Sequence, residues 1–139
     1  MNKFFVFLGD NFLAVIVLLS LCVLLIIHER RKGGTKVDTS EMTRIINKEN
    51  PFVYDLRSAG EYSAGSVAGA QNLQSSNLVK DDALFKATEE DCIVLICKTG
   101  AASSKAAGEL KSQGFNNINV LSGGILNWTQ SGMPLVKNK

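Results

Sequence analysis

The sequence predicts an α/β domain with an open parallel β-sheet flanked by helices, preceded by one transmembrane helix. After residue 33, short apolar runs alternate with amphipathic stretches, which is typical of alternating strands and helices. One run, residues 92–96, is apolar throughout, as expected for a central strand that is covered on both faces. A longer run, residues 12–27, carries no charge and is too apolar for a core helix of a small domain.

The N-terminal apolar run is almost long enough to cross a membrane. As a helix, residues 12–27 span roughly 24 Å, and extension back to Leu8 approaches the ~30 Å of a hydrocarbon core. Asp10 and Asn11 then lie near one interface, where polar groups reach water. We therefore predict a short external tail over residues 1–7, a transmembrane helix over residues 8–28, and a basic collar and linker over residues 29–38.

The charges around this run predict that the anchor is retained and how it is oriented. A cleaved signal peptide carries positive charge before its apolar stretch and small residues after it, whereas here Arg30, Arg31 and Lys32 follow the run. Only Lys3 precedes it, so the positive-inside rule places the C-terminal domain in the cytoplasm. The predicted topology is a single-pass protein with the membrane bound through residues 8–28.

The charge balance of the remaining chain argues against nucleic-acid binding. The protein has 15 Lys and Arg, 13 Asp and Glu, and a net charge of +2. Four of the basic and two of the acidic residues precede residue 33, so the rest carries 11 of each and is neutral. Because a nucleic-acid-binding domain needs a basic face, no nucleic-acid partner is predicted.

The three cysteines predict neither a disulfide framework nor a zinc site. Their number is odd, Cys22 lies in the apolar run, and Cys92 and Cys97 flank a predicted strand. The only histidine is His28, and there is no C-x-x-C pair, so no metal is predicted. Cys92 begins the strand and is interpreted as a small buried hydrophobe.

The elements of the domain follow from caps and periodicity. Ser40 is the predicted N-cap of a helix in which Met42, Ile45 and Ile46 share one face. The other predicted elements, in order, are a strand at 52–54 closed by residues 55–57, a helical turn after Ser58 to residue 62, a strand at 70–73, a weak helix at 82–87, the central strand at 92–96, a helix at 102–113 stopped by Gly114, a strand at 118–121 and a helix at 125–130.

The candidate site is the segment between the central strand and the next helix. Ligands of open α/β sheets bind at the carboxyl ends of strands, and a helix start offers free backbone N–H groups that lower the pKa of a thiol. A cysteine that ends a buried strand is also often structural, so the residues alone leave both roles open. The segment comprises Cys97 as the candidate nucleophile and Lys98, Thr99, Gly100, Ala101, Ala102 and Ser103 as its loop.

Several segments, in order, resemble the rhodanese family. They are DLR at 55–57, EY at 61–62, GSVAGAQN at 65–72, the loop that starts at Cys97, VLSGGILNW at 120–128 and GMP at 132–134. The matches cover nearly all of the chain after the linker, so we assign a rhodanese-like domain to residues 39–137. With its anchor, the chain resembles the single-domain, membrane-tethered rhodaneses of the bacterial inner (cytoplasmic) membrane.

The resemblance implies a chemistry and a set of site residues. Rhodaneses move sulfane sulfur from a donor such as thiosulfate to a thiophilic acceptor through a cysteine persulfide, with no other cofactor. Cys97 is then the nucleophile and carrier, and the amides of residues 98–103 cradle the persulfide. Asp55 and Arg57 lie near this site in the family, and we expect a structural role for both, with Arg57 spaced to pair with Glu61. Trp128 is expected in the core.

One departure from the family leaves the function open. Many rhodaneses carry arginine where this chain has Ala102, and that arginine helps hold anionic donors. The first hypothesis is a sulfurtransferase or persulfide carrier that uses a small sulfur donor or a protein persulfide donor or acceptor. The alternative is a rhodanese-like interaction module that binds another inner-membrane protein with little or no catalysis. A phosphatase-like enzyme is disfavoured because it needs an arginine on its oxyanion.

Overall fold

The computed structural model describes residues 1–32, 34–79 and 82–138, and of residues 29–32 it describes the backbone alone. The chain divides into two compact units, Met1–Arg31 and Lys32–Lys139. Two features predicted from the sequence lie outside the described residues. They are the side chains of the basic collar at residues 30–32 and the first glycine of the linker, Gly33.

The N-terminal unit contains two helices where one continuous helix was predicted. Helix α1 (Asn2–Asp10) includes most of the predicted tail, and α2 (Phe12–Lys32) follows it. The break is at Asn11, whose side-chain amide and backbone N–H both donate to the carbonyl of Phe7, at 3.0 and 3.1 Å. The carbonyl of Asn11 accepts from Val15 and begins α2. Asparagine thus ends the first helix by competing for its backbone groups, and the predicted span over residues 8–28 is interrupted.

The two N-terminal helices differ by 83° in direction. Among the described residues, neither helix alone combines the length and apolar content of a membrane span, whereas the bent pair Asn2–Asp10 and Phe12–His28 has both. The polar side chain in the middle of α2 is satisfied locally, because the hydroxyl of Ser20 donates to the carbonyl of Ile16 at 2.5 Å.

The second unit is built on a five-stranded parallel sheet with the order β1-β5-β4-β2-β3. This confirms the predicted open parallel sheet, and the apolar run of residues 92–96 supplies its central strand. The first strand was not predicted, because its residues had been assigned to the linker. The strands are β1 (Thr35–Val37), β2 (Phe52–Asp55), β3 (Gln71–Asn72), β4 (Ile93–Ile96) and β5 (Ile118–Leu121).

Helices cover both faces of this sheet. Residues of β4 alternate between them: Ile93 and Leu95 belong to one buried cluster, and Val94 and Ile96 to the other. The helices are α3 (Thr39–Glu49), α4 (Ala59–Ala64), α5 (Ala101–Ser112) and α6 (Gly124–Gln130), with a 3-10 turn at Ser75–Asn77. Helix α5 packs on the face of Leu95, and α3 and α6 pack on the face of Val94.

Two local predictions were wrong. The N-cap of α3 is Asp38, whose carboxylate accepts from the amide of Glu41 at 2.8 Å, and Ser40 lies inside the helix. Residues 82–87 form no helix, because the Asp82 carboxylate accepts from the amide of Leu84 and makes a turn. That turn directs Phe85 into the core. By contrast, the predicted cap of α4 by Ser58 and the stop of α5 before Gly114 are confirmed.

The connections after the two middle strands open a crevice at the carboxyl edge of the sheet. The chain leaves β4 towards the face covered by α5, and it leaves the neighbouring β5 towards the opposite face, covered by α6. In open α/β sheets, ligands bind in the crevice between two neighbouring strands whose connections run to opposite faces of the sheet. Cys97 follows β4 directly at this point.

Candidate active site

Cys97 stands at the carboxyl end of the central strand. Its side chain is only 4% exposed, although it occupies the first position of the loop that leads into α5. The strand fixes its backbone on one side, and the helix fixes the end of the loop on the other. The thiol is therefore held in one place by two regular elements.

Hydrogen-bond donors of the loop surround the sulfur of Cys97. The amide of Gly100 lies 2.9 Å from Sγ, the amide of Ser103 3.5 Å and the hydroxyl of Ser103 3.2 Å. Gly100 has φ +99°, a left-handed conformation that turns the loop back over the sulfur and that side chains disfavour. The loop thus forms a small nest of donors around an anionic sulfur.

The carbonyls of the loop are tied down elsewhere, which leaves its amides free for the sulfur. The carbonyl of Cys97 accepts from the amide of Ile125 at 2.9 Å, and that of Lys98 accepts from the amide of Leu126 at 3.2 Å. Both donors belong to the first turn of α6, where backbone N–H groups have no partner inside the helix. The approach is so close that a Cβ on Gly124 would overlap the carbonyl of Cys97.

The donors around Cys97 favour its thiolate. Burial by itself raises the pKa of this thiol, because it penalises the charged form. The hydroxyl and amide of Ser103 and the amides of Gly100 and Thr99 outweigh that effect, so the pKa of Cys97 lies below the ordinary value of a cysteine. The site therefore favours the nucleophilic thiolate form of this cysteine.

Cys92, at the other end of the strand, is in the opposite situation. Burial and the neighbouring Glu49 carboxylate raise the pKa of its thiol to about 11, and the amide of Asn119 only partly opposes them. Cys92 is therefore a protonated, partly buried thiol at physiological pH. The prediction that this cysteine is a packing residue agrees with its surroundings.

The Ser103 hydroxyl can hydrogen-bond to Cys97 both as a thiol and as a thiolate. Its side chain is completely buried, and its hydroxyl lies 3.2 Å from the Cys97 sulfur and 3.2 Å from the carbonyl of Gly100. Beside a thiolate, the hydroxyl proton is donated to sulfur. Beside a thiol, the thiol proton points to the hydroxyl oxygen and the hydroxyl donates to Gly100. Neither state leaves a buried polar group without a partner.

The remaining predicted loop residues lie at the mouth of the site. Their side chains are exposed, and none of them makes a side-chain hydrogen bond or ion pair within the described part of the chain. Among the described residues, the Lys98 side chain therefore makes no direct hydrogen bond to the sulfur. These residues are Lys98, Thr99, Ala101 and Ala102.

Asp55 and Arg57 form a buried ion pair at the end of β2, next to the central strand. The guanidinium contacts both carboxylate oxygens, with the closest pair at 2.8 Å, and also donates to the carbonyl of Gly65 at 2.6 Å. The expected pairing of Arg57 with Glu61 was wrong. The second oxygen of Asp55 also accepts the hydroxyl proton of Ser66 at 2.6 Å.

This pair supports the carboxyl edge of the sheet and does not contact the sulfur. Within the described residues, neither side chain forms a hydrogen bond to the loop of residues 97–103. The side-chain amide of Asn72 donates to the backbone carbonyls of both Asp55 and Arg57, and so links them. Because Asp55 is fully buried, loss of Arg57 would leave an uncompensated carboxylate, which costs about 3–5 kcal/mol in comparable cases. The expected structural role fits these contacts.

The turn before α6 places that helix against the Cys97 loop, a role that was not predicted from the sequence. Gly123 and Gly124 have φ +74° and +63°, and the side-chain amide of Asn127 donates to the carbonyl of Ser122 to close the turn. A glycine pair between a strand and a helix is the signal that could have identified it. Trp128 is buried, as expected, and its ring N–H donates to Pro134.

The fold and the site define an α/β protein with a cysteine at a strand end, where hydrogen-bond donors favour the thiolate form of that cysteine. The sequence matches the rhodanese-like domain family over residues 38–131. The chain belongs to this family, as the sequence resemblance indicated. The match includes every strand except β1 and every element of the loop around Cys97.

Known proteins and structures are similar over most of the chain. It is 27% identical to the uncharacterized protein YibN of Escherichia coli (strain K12) over 143 residues, which covers both chains completely. It is 31% identical to the thiosulfate sulfurtransferase GlpE of Pseudomonas fluorescens (strain SBW25) over 63% of this chain and 79% of that one. The crystal structure of a rhodanese-related protein from Thermoplasma volcanium matches with a TM-score of 0.64 at 26% identity, over 75% of this chain and 99% of that one.

We expect Cys97 to be alkylated much faster than Cys92. At pH 8 only about one Cys92 thiol in a thousand is ionised, given a pKa of about 11, whereas the pKa of Cys97 is lowered. Ser103→Ala should shift the pH midpoint of Cys97 alkylation to higher pH, because the substitution removes a hydrogen-bond donor to the thiolate. Ser104→Ala is the matched control and should leave that midpoint unchanged.

The measurement is iodoacetamide labelling of the full chain between pH 6 and 9, with peptide mass spectrometry of each cysteine. Equal rates for Cys92 and Cys97 would contradict the assignment of the reactive thiol. A Ser103→Ala midpoint equal to that of the unmodified chain would contradict the role of the hydroxyl.

Proposed function

We propose that this protein is a membrane-tethered sulfurtransferase or persulfide carrier in which Cys97 moves sulfane sulfur to an acceptor. The observation that carries the proposal is the nest of donors on its sulfur, with the Gly100 amide at 2.9 Å and the Ser103 hydroxyl at 3.2 Å. Such donors stabilise a negative sulfur, which the chemistry requires both before and after sulfur transfer.

The transfer has two displacement steps. The Cys97 thiolate attacks the outer sulfur of thiosulfate, the sulfur–sulfur bond of the donor breaks, and sulfite leaves with the electron pair. This gives a Cys97 persulfide anion, which lies over the amides of the loop. An acceptor thiolate then attacks the outer sulfur and releases the Cys97 thiolate. The sulfane sulfur is passed on without a net change of oxidation level, so no oxidant is consumed.

The relatives support sulfur transfer as the activity of this domain. GlpE is named a thiosulfate sulfurtransferase, and its similarity covers most of the domain that carries Cys97. The site also fits a protein persulfide as donor or acceptor, because the exposed loop residues leave the mouth of the site open. The donor in the cell is thus either a small anion or a persulfide on another protein.

The alternative function is an interaction module with little turnover. Ala102 favours it, because this exposed position at the start of α5 lacks the arginine that holds anionic donors in many rhodaneses. The partner would be another protein of the inner membrane. The lowered pKa of Cys97 favours the catalytic function, since an interaction module has no need for a thiolate.

We also propose that the bent pair of α1 and α2 anchors the protein in the inner membrane through the apolar run of α2, with the domain in the cytoplasm. The helix carries no charge over residues 12–27, and its Ser20 hydroxyl is bonded within the helix, so no polar side chain in this run needs water. The basic residues at 30–32 follow the run, as the positive-inside rule requires for a cytoplasmic C-terminus.

Incubation with thiosulfate should add one sulfur atom to Cys97. We expect intact-mass spectrometry of the full chain in detergent to show a gain of one sulfur that dithiothreitol reverses. Cys97→Ser should abolish the gain, and Cys92→Ser, the matched control, should retain it. Absence of the added sulfur, or its location on Cys92, would contradict the proposed chemistry with thiosulfate.

Ala102→Arg should lower the KM for thiosulfate by about tenfold, because a guanidinium adds charge-assisted hydrogen bonds to the donor. The sulfonate end of the donor is held alike before and during the reaction, so kcat should change little. Ala102→Met, which adds length without charge, is the control and should not lower KM. An unchanged KM in a folded Ala102→Arg protein would favour the interaction module or a protein donor.

The topology is tested with reporters fused to the C-terminus. Alkaline phosphatase should be inactive there and green fluorescent protein should be fluorescent, because the domain faces the cytoplasm. A triple variant, Arg30→Gln, Arg31→Gln and Lys32→Gln, removes the charge bias and should give a mixed population. Full phosphatase activity of the unmodified fusion would reverse the proposed orientation.

A further inference from the structure

A second cleft lies beside the Cys97 loop. It has a volume of about 260 Å³, and its walls come from β1, from the loop and first turn of α5, and from the end of β5 with the turn that follows. The cleft and the thiol site share Gly100, whose amide donates to the Cys97 sulfur, but the sulfur itself does not line the cleft. A ligand here is therefore next to the reactive loop without displacing the thiol.

The polar side chains of this cleft can all donate hydrogen bonds to an anion. Among the described residues, Lys36 is the only charged residue that lines the cleft, and no carboxylate lines it. Three side chains with hydroxyl groups also line the cleft. None of these four polar side chains makes a hydrogen bond or ion pair to another described residue. The hydroxyls belong to Thr99, Ser104 and Ser122.

The sheet places Lys36 in the cleft. Strand β1 pairs in parallel with β5, with Lys36 opposite Val120, and the amide of Ser122 donates to Val37 at 2.9 Å. Val37 is buried on the face of α3 and α6, so its neighbour Lys36 points to the face of α5. Gly34 lets β1 approach closely, since a Cβ there would lie 2.9 Å from the carbonyl of Ile118.

We infer that this cleft binds a small tetrahedral oxyanion, with Lys36 supplying the positive charge. An ammonium and three hydroxyls offer donors from several directions, which suits the sulfonate end of a sulfur donor. The volume lies below the ~300–1,000 Å³ typical of sites for drug-sized ligands, so the ligand is small. The identity of the ligand as a sulfur donor rests on the proposed function, whereas the binding of an oxyanion does not.

The test is a titration of the ¹⁵N-labelled full chain in detergent with sulfate, an unreactive oxyanion. We expect saturable amide shifts centred on Ser104, Ser122 and Gly123. Lys36→Gln should weaken sulfate binding by about tenfold, because it removes the cation. The matched control is Lys105→Gln, which removes the same charge from the exposed side of α5 outside the cleft. The Lys105→Gln protein should bind sulfate with the same affinity as the unmodified chain.

Equal sulfate affinity in the Lys36→Gln and Lys105→Gln proteins would overturn the inference, as would shifts that do not saturate. Persulfide formation on Cys97 is measured on the same samples after thiosulfate. Persulfide without saturable sulfate binding at the cleft would refute the oxyanion subsite and keep the proposed function. Saturable binding lost in Lys36→Gln, without persulfide, would support the subsite and refute thiosulfate as the sulfur donor.

Discussion

The environment of the thiol depends on two hydrogen bonds that do not touch it. A loop can aim its amides at a sulfur only if its carbonyls find donors in another direction, and here those of Cys97 and Lys98 accept from the first turn of α6. Helix α6 is held there because Ile125 and Trp128 are buried against the sheet. The reactivity of a residue at the end of β4 is therefore set by packing almost thirty residues further along the chain.

Periodic apolar patterns predicted the parts of the fold that this arrangement needs most. The central strand and α5 were recognised because an apolar run and an alanine-rich stretch carry strong local signals. Strand β1 carries none, because only one of its three residues is buried and its pairing with β5 is a tertiary contact. The position of Cys97 at a strand end was predictable for the same reason, while the turn of Gly123 and Gly124 against the loop was not.

Two of the local errors share a physical cause, which is that a short polar side chain hydrogen-bonds to the backbone of a helix end. Asn11 ends a helix that hydropathy alone would continue, and Asp38 caps α3 two residues before the predicted Ser40. The pairing of Arg57 was mispredicted because the four-residue spacing rule holds inside a helix, and α4 begins only at Ala59. In each case a short polar residue decides the geometry through one contact that composition does not reveal.

The pairing of β1 with β5 also bears on how the domain folds. Thr35 lies opposite Asn119, which is 84 residues later in the chain, whereas β4 and β5 are joined through α5 alone. Contacts between residues far apart in sequence require the closure of a long loop and form slowly. We therefore expect the core of β2, β4 and β5 to assemble before the edge strand docks. An intermediate without β1 would already cradle Cys97, yet it would lack the lysine of the neighbouring cleft.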